Sequence, residues 1–482
     1  MRRACSVAIR VGLMGAMAGI LACEPSHAQE AAGDDSRPKE AIAFRLYRWE
    51  ENYLWLSRKT EPLTDYERLK YIHLGGAPEN YLSLGGEARY RFDGYDPYLF
   101  GITANGKTFG SNQERMFLHG DLHLTEYFRA FAQVDAAAEQ GRPVQRAYDQ
   151  SSPDLRQAFA DIILPVDRST TTVRIGRQEL WLGPTRWMAV RDPTNIRRSF
   201  DGALFEYRDD TYILRGFAAR PVAIYPGLFD DTTSSAEFFR GAYLRARQPQ
   251  GFPATIDLYL LGREQDSVTY ARGTGREDRW TAGGRISGKL ATLDYVVEGA
   301  NQFGTFNQLG TFSPAEISAW GFYGQVSRGF ESFAFTPRLG LRAHYASGDS
   351  NLKSSIFRTF SAPYPAASEI TEMSLLSLLN TTNFQPFLQM KVPNGPSIET
   401  SWNWVSRASL ADSVYGPPGT IFTARGSTAA NVAQIGQLAF TWDLSPFLQL
   451  HGVYSHTFAG DYLRAAKGRD MDYYRLQIME RF

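Results

Sequence analysis

The amino-acid sequence predicts an all-β chain that closes into an antiparallel transmembrane β-barrel of 18 strands. Three observations carry the prediction. From Leu82 onward apolar and charged residues alternate with period two. The links between alternating segments are by turns short and long. Beyond the first two dozen residues, no apolar run approaches the about 18 residues that a spanning helix needs, whereas a spanning strand needs only about 10, every second one apolar.

Successive side chains on a strand point to opposite sides, so each alternating segment has one apolar and one charged face. Leu82, Leu84, Ala88, Tyr90 and Phe92 oppose Glu87, Arg89 and Arg91. Met116, Leu118, Leu122 and Leu124 oppose Arg115, His119, Asp121 and His123. The same contrast recurs at Ala242–Ala246, at Trp280–Ile286 and at Leu339–Tyr345. A soluble sandwich would turn its charged face to bulk water. A barrel turns its apolar face to lipid and its charged face to the lumen.

The segments fall at about 82–92, 113–124, 128–138, 154–164, 171–179, 200–208, 211–219, 238–248, 254–262, 278–289, 291–301, 318–328, 334–346, 400–410, 418–425, 432–443, 446–457 and 471–482. The count is 18, or 16 without 418–425. Short links sit near Thr125, Asp167, Asp209, Pro249, Leu290, Gly329 and Leu444, and long ones cover 93–112, 139–153, 180–199, 220–237, 263–277, 302–317, 347–399 and 458–470. Bacterial barrels have short periplasmic turns and long outer loops, and a sandwich has no reason to alternate them. Within 347–399, the spacing of Ile370, Met373, Leu376 and Leu379 predicts a short helix over Ser368 to Asn380.

The N-terminus places the chain outside the cytoplasm. Arg2, Arg3 and Arg10 precede an apolar stretch from Val11 to Ala22, and Ser26-His27-Ala28 offers a cleavage site, so residues 1–28 read as a signal peptide. Ile20-Leu21-Ala22-Cys23 offers a lipoprotein-type alternative, disfavoured by the bulk of Leu21. Residues 29–80 read as a periplasmic lead-in and 81–482 as the barrel. Both cysteines, Cys5 and Cys23, lie in the signal, which argues against a disulfide scaffold, a thiolate metal site and a cysteine nucleophile. Removing the signal takes away three arginines and one glutamate, leaving the charges close to balance. No net charge points to nucleic acid.

The candidate chemistry is in the guanidinium groups. Arg89, Arg91, Arg115, Arg129, Arg174, Arg215, Arg245, Arg247, Arg279, Arg285, Arg338, Arg342, Arg407 and Arg475 fall on the charged faces, interleaved with Glu87, Asp121, Asp135, Asp257, Asp294 and Glu298. Guanidinium binds carboxylates by paired hydrogen bonds, and a ring of cations favours anions over cations. The residues 180–199 add Arg186, Arg191, Arg197 and Arg198 on a long link. His119, Asp121 and His123 share one face and offer a metal site or a hydrolase centre, without a third cluster to support either. No Gly-x-Ser-x-Gly, His-Glu-x-x-His or P-loop is present. No cofactor or metal is expected.

Three stretches resemble the alginate export family of outer-membrane proteins. They are Trp49-Glu50-Glu51-Asn52-Tyr53 with Leu69 to Leu74, Tyr81 to Arg89 with its Gly-Gly-Glu-x-Arg, and Arg174-Ile175-Gly176-Arg177-Gln178 followed by Arg191-Asp192-Pro193-Thr194-Asn195 and Arg197 to Gly202. The resemblance implies an 18-stranded barrel with an arginine-lined constriction that passes a polyuronate outwards. Glu87, Arg89, Arg174 and Arg177 sit within the matching motifs and are carried over as pore residues.

The expected function is passive, anion-selective export of an acidic polysaccharide across the outer membrane, by a protein that is not an enzyme. Its partners are outer-membrane lipid, the acidic poly- or oligosaccharide and a periplasmic export component. The alternatives are a porin for small anionic solutes and an outer-membrane hydrolase using His119, Asp121 and His123.

Overall fold

The computed structural model describes residues 44–482 except 103–105, 144, 185, 312, 367, 369 and 418. Residues 1–28, the expected signal peptide, and residues 29–43 lie outside them. No helix among the described residues is long and apolar enough to cross a membrane. The chain crosses with strands.

Eighteen strands form the wall: β1 Tyr81–Asp96, β2 Phe109–Leu124, β3 Phe128–Gln140, β4 Ser151–Val166, β5 Ser169–Gln178, β6 Phe200–Arg208, β7 Tyr212–Ala223, β8 Glu237–Arg247, β9 Ala254–Tyr270, β10 Gly273–Leu290, β11 Leu293–Gln308, β12 Ala315–Gly329, β13 Arg338–Ala346, β14 Thr381–Lys391, β15 Ser397–Arg407, β16 Asn431–Asp443, β17 Leu448–Ala459 and β18 Met471–Arg481. Each pairs antiparallel with its neighbours. β1 meets β18 from Glu87↔Arg481 to Asp96↔Asp472, which closes the barrel and leaves no open edge. The longest connections, 347–380, 408–430 and 179–199, share one end, and the other end carries turns as tight as 167–168 and 291–292. The turn end is periplasmic and the loop end external.

The alternation read from the sequence is the alternation of the wall. Outward positions at mid-height, such as Leu244, Leu258 and Leu260, are exposed or half-buried aliphatic residues facing lipid. A lysine or arginine there would cost about 2–4 kcal/mol. Charge returns to the outer face toward the ends of the strands; near the loop end Arg240 pairs with Glu264 and stacks on Trp280 at 4.9 Å. On β18, Tyr474, Leu476 and Ile478 face outward and are exposed.

Two elements differ from the sequence reading. Residues 418–425 are no barrel strand: Ile421–Phe422 pairs with Val414–Tyr415 in a small ribbon inside loop 408–430. The eighteenth strand is β14, inside the expected link 347–399. Its inward Asn383 and Gln385 carry no charge to contrast with the outward face. Pro386 reads as a breaker, and the ladder to β15 skips Gln385 and Pro386. The links 263–277 and 302–317 shrink to 271–272 and 309–314, because β9 to β11 continue beyond the lipid, where the outward face is polar.

The expected helix over Ser368 to Asn380 is absent among the described residues; 370–380 is an irregular strap. Ser374 and Asn380 adopt positive φ, which interrupts any helical run, and Ile370, Met373, Leu375, Leu376 and Leu378 bury together in the lumen.

The N-terminal stretch docks at the turn end. Thr64 caps the helix α1, Asp65–Lys70, with Glu67 completing the capping box. Ile72–His73 pairs antiparallel with Tyr81–Leu82 at the start of β1. Further in, Tyr47 and Trp49 pack against Phe131, Phe159, Trp181 and Val190, which are inward residues of the wall and of loop 179–199. Arg48 Nη2 donates to the Phe482 carbonyl at 2.9 Å and Lys70 Nζ to that of Leu84 at 2.7 Å. Residues 44–50 therefore lie inside the periplasmic mouth.

Candidate functional site

The inward faces carry charge in depth, and most of it is paired within the wall. Arg129 grips Asp121 with Nε at 2.6 Å and also donates to the Trp49 carbonyl. Arg174 holds Asp161 through Nε and Nη2 at 2.7 and 2.8 Å. Arg215 pairs with Glu206 and donates to the Trp181 carbonyl. Arg245 and Arg285 share Asp257 at 2.8 and 3.2 Å. Arg279 grips Glu277 at 2.7 Å, and Arg342 grips Glu399 at 2.8 Å. Arg338 meets Asp294 at the turn end. These pairs, cross-strand except for Arg279–Glu277 along β10, leave the carboxylates satisfied and the guanidinium groups fixed, as buried charge requires.

Arg177 lies elsewhere. Arg174 faces inward, so alternation along β5 turns Ile175 and Arg177 outward. Arg177 pairs with Asp201 at 2.8 Å and donates to the Leu155 and Asp231 carbonyls beneath loop 224–236. The sequence expectation that Arg177 is a pore residue is corrected on this geometry: its Gly-Arg-Gln motif straddles both faces of the strand.

A second set of arginines holds loop 179–199 inside the lumen. The loop turns inward at Gly183, whose φ of +70° glycine adopts without steric cost and where a Cβ would overlap the Tyr243 hydroxyl. Arg89 donates to the Asp192 and Thr194 carbonyls at 3.1 and 2.8 Å. Arg115 reaches the same two carbonyls at 3.0 and 3.3 Å, pairs with Glu87, and meets Asp192 Oδ1 at 3.1 Å. Arg115 and Arg197 hold the Asp192 carboxyl well below its ordinary range despite burial. Arg91 donates to the Pro193 carbonyl. Loop 347–380 enters from the opposite wall. Arg279 donates to its Thr359 carbonyl at 3.0 Å and Arg263 to its Pro363 carbonyl at 2.6 Å. The two loops then join: Ala189 N donates to the Tyr364 carbonyl at 2.7 Å and Tyr364 N to that of Trp187 at 3.0 Å.

On the external side of this junction lies a cavity of about 480 Å³. Seven arginines line it: Arg91 and Arg475 from the wall positions read in the sequence, and Arg142, Arg146, Arg191, Arg198 and Arg263. Asp93 is the only carboxylate among its described lining residues. Arg142 and Arg146 are tied to Asp149 at 3.3 and 2.8 Å, Arg263 to Glu237 at 2.7 Å, and Arg475 to Asp93 at 2.9 Å. Arg191 and Arg198 have no carboxylate within ion-pair distance among the described residues. Arg191 stacks on Tyr148 at 4.2 Å and Arg198 on Tyr364 at 4.5 Å. Burial pulls Arg191 down to about 10, and burial with Arg191 alongside pulls Arg198 down to about 9. Guanidinium keeps its proton, so these two are crowded, poorly solvated cations that an entering anion would relieve.

Alternation could not reach this set. Arg142, Arg146, Arg191 and Arg198 stand on loops, and Arg263 stands on a part of β9 read as a link. The other expected pore residues do not line the cavity. His119, Asp121 and His123 share the β2 inner face. Asp121 is held by Arg129 and lies 3.2 Å from His123 Nε2, and His123 stacks on Tyr81.

A closed 18-stranded barrel with a lipid-facing exterior and a lumen narrowed by infolded, arginine-held loops defines an outer-membrane channel of porin architecture. Solved outer-membrane barrels of Pseudomonas aeruginosa share the fold. OccK5 (OpdH) is 10% identical with a TM-score of 0.55, over 83% of this chain and 98% of its own. The outer membrane protein OpdK is 11% identical at 0.54, over 83% and 98%. OccK2 (OpdF), solved in complex with glucuronate, is 11% identical at 0.54, over 86% and 99%. Comparison with curated proteins found no match. The chain belongs to the alginate export family, whose model matches residues 80–477.

Proposed function

We propose that the protein is a passive, anion-selective channel that carries an acidic saccharide, an alginate-like polyuronate, outward across the outer membrane. The observation that carries this reading is the pair Arg191 and Arg198, two half-buried guanidinium groups without carboxylate partners among the described residues, facing a cavity otherwise lined by paired arginines. A carboxylate entering it gains charge-assisted hydrogen bonds, while a cation meets a large excess of positive charge. The arginines tied to acids on neighbouring strands hold the loops in place and keep each site weak enough for release. The glucuronate bound by OccK2 is consistent with acidic-sugar passage in this architecture.

A second reading, a porin for small anionic saccharides, draws on the narrowing itself. Two loops and the N-terminal stretch occupy the lumen, and a 480 Å³ cavity holds a short oligomer more readily than a continuous strand. Planar-bilayer recordings test both. Polyuronate added to the periplasmic side should block the current at concentrations where neutral dextran of equal length does not. Block by short uronate oligomers alone would favour the porin, and block by neither would overturn both.

A further inference from the structure

A second cavity, about 270 Å³, lies on the periplasmic side of the loop junction, between residues 44–50 and the turn-end halves of β3 to β8. Arg45, Arg129, Arg174, Arg208 and Arg247 line it against Asp161, Glu50 and Glu206, an excess of positive charge. Two indoles, Trp49 and Trp181, complete it.

Three hydrogen-bond donors on its lining residues lack partners: Trp49 Nε1, Trp181 Nε1 and Arg174 Nη1. Their residues are only 8%, 4% and 4% exposed. Buried donors are nearly always satisfied, so three on one cavity point to a missing acceptor. Each is fixed from behind. Asp161 grips the rest of the Arg174 guanidinium, which lies 4.1 Å from the Trp49 ring; Arg129 and Arg215 hold the carbonyls of Trp49 and Trp181. One acceptor, Glu50 Oε2, is likewise buried and without a partner. Donors for an anion beside an acceptor for a hydroxyl suit a hydroxylated acid, and the volume lies just below the about 300 Å³ at which drug-sized pockets begin.

We infer that this cavity is a periplasmic subsite for a single hexuronate ring, its carboxylate taken by the indole N–H groups and Arg174, and a ring hydroxyl by Glu50. The inference rests on the reading of the lumen as an acidic-saccharide path. It gives residues 45–50 a role in binding, since Arg45, Trp49 and Glu50 build one wall of the site. The subsite and the external cavity flank the loop junction, so a saccharide passes from one anion site to the next.

The test is calorimetric titration of glucuronate into the full chain in detergent at low salt. With the external cavity silenced by Arg191→Ala and Arg198→Ala, one binding event should remain. Trp49→Phe or Trp181→Phe, each keeping the ring and removing the N–H, should weaken it about 10-fold, and glucose should not bind. No residual event, or one that both phenylalanine variants leave unchanged, overturns the subsite. Indole-dependent binding in a barrel that shows no anion selectivity in bilayers would sink the channel reading and leave the subsite standing.

Discussion

Replacing Arg191 and Arg198 together by alanine is expected to weaken block by acidic saccharide about 100-fold while the barrel stays folded. A hydrogen bond to a charged partner is worth about 1.5–3 kcal/mol, so each lost guanidinium accounts for at least about tenfold. The barrel should tolerate the change because neither side chain closes an ion pair; each stacks on a tyrosine, Tyr148 or Tyr364. Removing two half-buried, mutually repelling cations relieves part of their desolvation. Titration of single-channel block with a uronate oligomer measures the effect. Wild-type block in the double variant would show that the external cavity does not recognise the anion. Arg245→Ala makes the contrast: Arg245 shares Asp257 with Arg285 in the wall, so its loss should disturb stability before selectivity.

Arg115→Leu is expected to release loop 179–199 from the wall. The Arg115 side chain is fully buried and neutralises both Glu87 and Asp192 while satisfying two loop carbonyls. Breaking a buried ion pair by deleting one partner costs about 3–5 kcal/mol. Here two carboxylates would be left facing each other. The strand ladder between β1 and β2 does not depend on the side chain, so the cost falls on the loop. Single-channel conductance should rise and flicker, and the loop should become sensitive to protease added from outside. Unchanged conductance would mean that Arg89 and Arg91 suffice to hold the constriction.

The wall was legible because period-two contrast is forced wherever lipid lies on one side and water on the other. It failed at β14, where Asn383 and Gln385 replace charge and Pro386 breaks the signal, and along β9 to β11 beyond the membrane, where the outward face turns polar and aromatics such as Tyr270 and Phe306 face inward. The site was less legible. Alternation finds the guanidinium groups that brace the wall, such as Arg174 and Arg342. It cannot find Arg146, Arg191 or Arg198, whose positions depend on how loops fold inward. Nor does it show that Trp49, forty residues before the middle of β1, returns to the lumen. Arg177 shows the converse: a motif gives proximity to the pore, and only strand phase says which side of the wall it faces.

An anion-selective channel requires that the guanidinium groups enclose a wet passage. The reversal potential of the wild-type channel in a tenfold potassium chloride gradient measures that preference most directly. A potential of the sign set by chloride is predicted, moving toward zero as salt rises and screens the fixed charge. A zero potential at low salt, or one of the sign set by potassium, would contradict it.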